Sequence, residues 1–137
     1  MKRGARGGVE TSRRERLRQL SSAAAALRDQ YPQLAEVRVA FEFQDGGPRA
    51  PSPQSYSYFP AANGFFRYAC PCHSCSGEFD LTGHVEELAR KVGRAPRVRS
   101  VDLTCEGQRI EAANTHAACP ISVHVVLTAV LHPPGRA

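Results

Sequence analysis

The 137-residue chain has no tryptophan, one methionine, and only six Phe and four Tyr. It has no apolar run near the ~20 residues that a membrane-spanning helix needs. Behind its basic N-terminus the only apolar stretch is Ala23 to Leu27, too short and too rich in alanine for the core of a secretory signal. No membrane association is expected. A Gly-rich phosphate loop, an HExxH pair and a GxSxG elbow are also missing, which removes the signatures of nucleotide, metallopeptidase and serine-hydrolase chemistry. The chain therefore reads as a binding module, with a thiol- or metal-dependent enzyme as an alternative. At this length it buries a core of its own and needs no staples to compensate for small size.

Cysteine is scarce but concentrated. There are five, an odd number, which argues against a closed disulfide framework. The absence of a secretory signal points to a reducing, cytoplasmic setting, where clustered thiols more often hold metal than pair with each other. Three of the five fall within six residues of Cys70-Pro-Cys-His-Ser-Cys-Ser-Gly-Glu-Phe-Asp80. Free cysteines serve well as small buried hydrophobes, but that accounts poorly for three so close together. A redox C-x2-C would start a helix, which lowers the pKa of its first thiol. Here Gly77 follows and helix signals begin only near Thr82.

Cys72-His-Ser-Cys75 has the C-x2-C spacing that brings two thiolates to one tetrahedral ion, and Ser76-Gly77 allows the backbone to wrap the sulfurs, Gly through a positive φ. This segment resembles the knuckle of zinc-ribbon domains over residues 68–80. The second C-x2-C of a ribbon is missing. Cys105 and Cys119 stand in its place, separated by residues 106–118, and a hairpin there brings them face to face. The expected centre is a closed, structural zinc site with four cysteine ligands, and iron is the second candidate ion. Five thiols compete for four positions. Cys75, Cys105 and Cys119 are the firm members; Cys72 has the spacing in its favour, and Cys70 is in phase with Phe66 and Tyr68 and reaches Cys75 by C-x4-C. His73, His84 and His116 are reserve ligands.

Charge is also unevenly placed. Residues 1–18 hold Lys2, Arg3, Arg6, Arg13, Arg14, Arg16 and Arg18 against Glu10 and Glu15, so this stretch carries the whole net charge of +5. Such a stretch binds nucleic acid or an acidic protein, or is a solvated tail. Tyr56, Tyr58 and Phe59 offer rings that stack on bases or pack in the sheet.

Residues 1–10, with three glycines and no periodicity, read as a disordered basic arm ahead of a single zinc-stabilised domain over 11–137. Ser12-Arg-Arg-Glu15 has the form of a capping box, followed by a helical stripe Leu17, Leu20, Ala24, Leu27, Tyr31 that stops before Pro32. The stripe docks on the domain or, through Leu17, Leu20 and Leu27, pairs with a second copy or an assembly partner. Val37, Val39, Phe41 and Phe43 alternate with polar neighbours as a half-buried strand. Residues 45–54 are loop. Residues 55–59 and 64–70 read as strands joined by a turn at Ala61-Ala-Asn-Gly64. Leu81, Val85, Leu88 and Val92 share a helix face closed by Gly93 and Pro96, with Glu86–Arg90 and Glu87–Lys91 as exposed pairs. Residues 97–105 and 120–132 are strands. The second carries Val126 and Val130 opposite its main apolar face, which places it centrally. The expected fold is α+β, a mainly antiparallel five-stranded sheet with an N-terminal and an inserted helix, in the order α-β-β-β-α-β-β.

Overall fold

The computed structural model of the chain describes residues 5–44, 51–72, 75, 77–90, 97–112 and 115–132, with the side chains of 5–12, 108–112 and 115–118 outside that description. The fold is α+β. Its centre is a four-stranded antiparallel sheet in the order β2-β1-β8-β5, made of β1 (Leu34–Gln44), β2 (Gln54–Tyr58), β5 (Arg97–Thr104) and β8 (Ser122–Leu131). Alternation sets its faces. Val37, Val39, Phe41 and Phe43 of β1 and Val123, Val125, Leu127 and Ala129 of β8 are buried, and the residues between them are not. The register pairs Val39 with Leu127, Phe41 with Val125 and Phe43 with Val123, so apolar side chains meet across the two central strands. β8 does lie between β1 and β5. Over the buried face sit Leu81 and, from helix α3 (Thr82–Arg90), Val85, Leu88 and Ala89. Asp80 caps α3, accepting a hydrogen bond from the Thr82 N–H at 3.0 Å. Of the two expected helix pairs, Glu86–Arg90 is 3.8 Å apart. Lys91, Val92, Gly93 and Pro96 lie outside the described residues, as does the loop at 45–50.

The expected five-stranded sheet is corrected to four strands plus two separate two-stranded pieces. β3 (Arg67–Ala69) does not turn back on β2 but pairs with β4 (Glu78–Asp80), and β6 (Gln108–Ala112) pairs with β7 (Thr115–Ala118). The reason lies in Ala61-Ala-Asn-Gly64, which is no hairpin turn. The Ala62 and Pro60 carbonyls accept the free N–H groups of Leu27 and Arg28 at the start of α2 (Leu27–Gln30), and Asn63 bridges to Ala26. With that segment engaged, β3 finds its partner across the cysteine loop. The element order is accordingly ααββββαββββ.

The same segment breaks the expected helix of 12–31. Helix α1 (Ala5–Ala23) ends where Asn63 Nδ2 donates to the Ser21 carbonyl at 2.8 Å, and the Gly64 N–H and Gln30 Nε2 both donate to Ala25 O. Outside hydrogen bonds at those carbonyls replace the helical ladder in spite of four alanines in a row. At its other end α1 starts at Ala5 and takes in residues 5–10, expected to be irregular, so Ser12 is inside the helix. Once residues 13–23 are docked, each further turn adds hydrogen bonds without a new nucleation cost. Leu17 and Leu27 are buried in the domain while Leu20 stays 39% exposed, so the stripe is used mainly within the chain. Among the described residues no helix is long and apolar enough to cross a membrane.

Candidate metal centre

Two hairpins open onto the same point. Cys70 leaves β3 and Cys75 precedes β4, so the first pair flanks the turn of the β3–β4 hairpin. Cys105 leaves β5 and Cys119 precedes β8, flanking the β6–β7 hairpin. The Cys105 N–H continues the β5–β8 ladder to Ile121 O at 2.9 Å. Four buried sulfurs, of Cys70, Cys75, Cys105 and Cys119, therefore lie within 4.8 Å of one another.

The spacing is informative. Cys75 and Cys105 Sγ are 3.3 Å apart, and Cys70 and Cys119 Sγ 3.9 Å. Four thiolates at ~2.3 Å from a tetrahedral ion stand ~3.8 Å from each other. A disulfide needs ~2.05 Å, and none of the four clustered cysteines is in one. The cluster is compatible with a metal site.

Each sulfur also accepts a backbone N–H from two residues on. Gly77 N–H donates to Cys75 Sγ at 3.1 Å and Gly107 N–H to Cys105 Sγ at 3.3 Å. The Cys72 and Ile121 N–H groups do the same for Cys70 and Cys119. The pattern repeats in the backbone: Cys70 N–H donates to Gly77 O, and Cys119 N–H to Gly107 O, at 3.0 and 3.1 Å. The two halves are thus local copies, Cys70 with Cys75-x-Gly77 and Cys119 with Cys105-x-Gly107. N–H groups aimed at sulfur favour the thiolate. Burial acts the other way and pushes the Cys70, Cys75 and Cys119 thiols up. Out of water these three thiols are poor acids by themselves, and a cation among the sulfurs reverses that balance.

Gly77 and Gly107 are required by space. A Cβ on Gly77 would lie 2.1 Å from Cys105 Sγ, and one on Gly107 2.3 Å from Gly77 N. Neither glycine has the positive φ expected for the first of them. The repeat Cys75-Ser-Gly77 and Cys105-Glu-Gly107 was the sequence signal for the second half-site, and it was missed.

Of Cys70 and Cys72, the structure brings Cys70 into the group of four sulfurs. Cys70 is fully buried in the cluster, whereas Cys72 is partly exposed at its edge and contributes its N–H to Cys70 Sγ. Spacing favoured Cys72 because C-x2-C is the commoner knuckle. The β3 phase, with Phe66 and Cys70 both buried, carries Cys70 inward instead. Of the reserve ligands, His84 accepts from Arg99 Nε at 3.0 Å and is not in the cluster. His73 and the His116 side chain lie outside the described residues.

Arg13 is the functional residue whose role the sequence hid. Expected in a solvated arm, it is only 6% exposed and reaches from α1 into the cysteine loop. Its guanidinium donates to the carbonyls of Cys75 at 2.5 Å, Gly77 at 2.9 Å and Cys70 at 3.2 Å. Among the described side chains no carboxylate pairs with it, and its Nε has no partner. Arg16 adds a second tie, an ion pair with Glu78 that also engages Arg67 at 2.8 Å. Arg14 and Arg18 are exposed on α1, Arg18 paired with Glu15 at 3.1 Å. Lys2, Arg3 and the Arg6 side chain lie outside the described residues.

Comparisons with protein-family models, with curated proteins and with solved structures find no match, so no zinc-ribbon family is identified and the site stands on its own geometry.

Proposed function

We propose that the chain is a small binding module built around a structural zinc ion held by Cys70, Cys75, Cys105 and Cys119, with the basic helix α1 as its contact surface for an acidic partner. The observation that carries this reading is the cluster itself: four buried sulfurs within 4.8 Å of one another, each with an N–H directed to it. Four protein thiolates close the coordination sphere, which suits a structural ion and leaves no position for water or substrate. Zinc is favoured over iron as the usual occupant of closed tetrathiolate sites.

Arg13 gives independent support. A buried cation without a counter-charge is costly. A divalent ion with four thiolates has a net charge of −2, and Arg13 packs directly behind two of those cysteines. The centre thereby supplies the charge that no described carboxylate does. It also joins the β3–β4 hairpin to the β5–β8 edge of the sheet, two parts that otherwise share few covalent or ladder constraints.

Elemental analysis of purified native protein, with X-ray absorption at the metal edge, tests this. One zinc per chain with four sulfur neighbours is expected. A folded, reduced and metal-free protein would overturn it.

A further inference from the structure

Between α1 and the β2–β3 region runs an open groove of ≈ 790 Å³, a volume within the range of ligand sites. Its walls include Arg14 and Arg18 from α1, Tyr56 and Tyr58 from β2, and Phe65 and Arg67 beside and on β3, and among the described residues no acidic side chain lines it. Glu15 and Glu78 lie just behind, paired with Arg18 and with Arg16 and Arg67. Among the described side chains of this region, four arginines stand beside two glutamates.

The aromatic wall is fixed in place. Tyr58 and Tyr68 share a hydrogen bond between their hydroxyls at 2.5 Å. Tyr56 lies against Tyr68 with ring centroids 5.1 Å apart and meets Phe41 edge-on at 5.8 Å, yet stays 39% exposed. A half-exposed ring held by two neighbours is a ready stacking platform, with little rotamer freedom left to lose. Arg14 and Arg18 are one helical turn apart on the same face, about 6 Å along the axis, and present two cations in a row above it.

We infer that this groove binds single-stranded nucleic acid, with Arg14 and Arg18 on phosphates and Tyr56 stacked on a base. The inference rests on the module reading, since metal-ordered hairpin and docked α1 form the two walls. Two features select this ligand. The site is concave and ringed by aromatics, so a base must leave its stack to enter, which a single strand does at little cost and a duplex does not. An acidic peptide would satisfy the arginines but give the ring no π partner.

Fluorescence anisotropy of the metal-loaded full-length chain with a labelled 12-nucleotide oligo(U) or oligo(dT) tests it, with a duplex of equal length and a polyglutamate peptide as comparisons. The single strands should bind at least ten-fold more tightly than either. Arg14→Ala with Arg18→Ala should weaken binding at least ten-fold and flatten the slope of log K against log salt by about 1.4, at ~0.7 per phosphate on single strands. Tyr56→Leu should weaken it about ten-fold. Metal content and Tm are read on every variant. Lost single-strand affinity with metal and Tm intact supports the groove. Undetectable binding at 50 mM salt, equal binding of duplex or polyglutamate, or an unaffected double-arginine variant overturns it while leaving the metal module standing. Native protein without metal overturns the module reading whatever the oligonucleotides do.

Discussion

Gly77 and Gly107 meet back to back beneath the four sulfurs, so close that a Cβ on Gly107 would fall 2.6 Å from the Gly77 Cα. Each N–H points to the sulfur of the cysteine two residues before it. Contact between the two backbones lets the half-sites approach to sulfur–sulfur distance.

Gly107→Ala should therefore damage the centre although it changes no ligand. The obstructing atoms are backbone and cannot swing away. Overpacking of this kind costs about 1–3 kcal/mol, and here the displaced hairpin should also release the ion. A thermal melt and a zinc-release assay with a chromogenic chelator would show a lower Tm and faster release than wild type. Wild-type retention of zinc would mean that the two halves do not meet in this way.

Cys70→Ser should abolish stable metal binding, and Cys72→Ser should leave it nearly intact. The first removes a buried sulfur of the cluster, and the second alters a side chain at its edge. Alkylation of the loaded protein followed by mass spectrometry should label Cys72 first. Preferential labelling of Cys70 would exchange the two assignments.

Arg13→Met should lower stability by about 2–4 kcal/mol, since three buried carbonyls lose a charged donor. Arg13→Lys should recover only part of this, because one ammonium cannot reproduce the fork that spans three acceptors. Circular dichroism melts of the three proteins would rank wild type above Lys and Lys above Met. A neutral Arg13→Met change would contradict the buried role.

Stability should depend on pH with opposite slopes in the two metal states. Burial raises the Cys70, Cys75 and Cys119 thiols above their unfolded value of ~8.5. Without metal the folded state holds these protons longer than the unfolded chain. Its stability is then fully present below ~8.5 and falls as pH rises above that value. With metal bound the folded thiolates hold no protons, so acid favours unfolding and release, and stability rises with pH up to ~8.5. Denaturant melts of chelated and zinc-loaded protein from pH 6 to 10 should diverge, the stabilisation by zinc growing as pH rises. Parallel curves would show that the ion does not sit on these sulfurs.

The sheet was legible because alternation is a strong local signal. Val37 to Phe43 and Val123 to Leu127 announce one buried face each, and Val126 and Val130 place β8 in the middle. The cysteine cluster was legible from density and from the hairpin between Cys105 and Cys119. What failed depended on non-local hydrogen bonds. Nothing in Ala23-Ala-Ala-Ala26 announces a helix end, because Asn63 and Gly64 impose it from about forty residues away. The pairing of β3 with β4 follows from the same engagement. Arg13 could not be told from Arg14, since sequence gives both one charge and only the docking of α1 makes one of them internal.

That docking has a thermodynamic corollary. Arg13 makes α1 and the cysteine loop a single mechanical unit, so the ion and anything that grips the helix stabilise the same folded arrangement. Their effects are then reciprocal: if metal loading raises affinity for a ligand of α1 by some factor, that ligand raises metal affinity by the same factor. An ion on the four sulfurs would be held most tenaciously while α1 is engaged, and a chelator would strip the free population first.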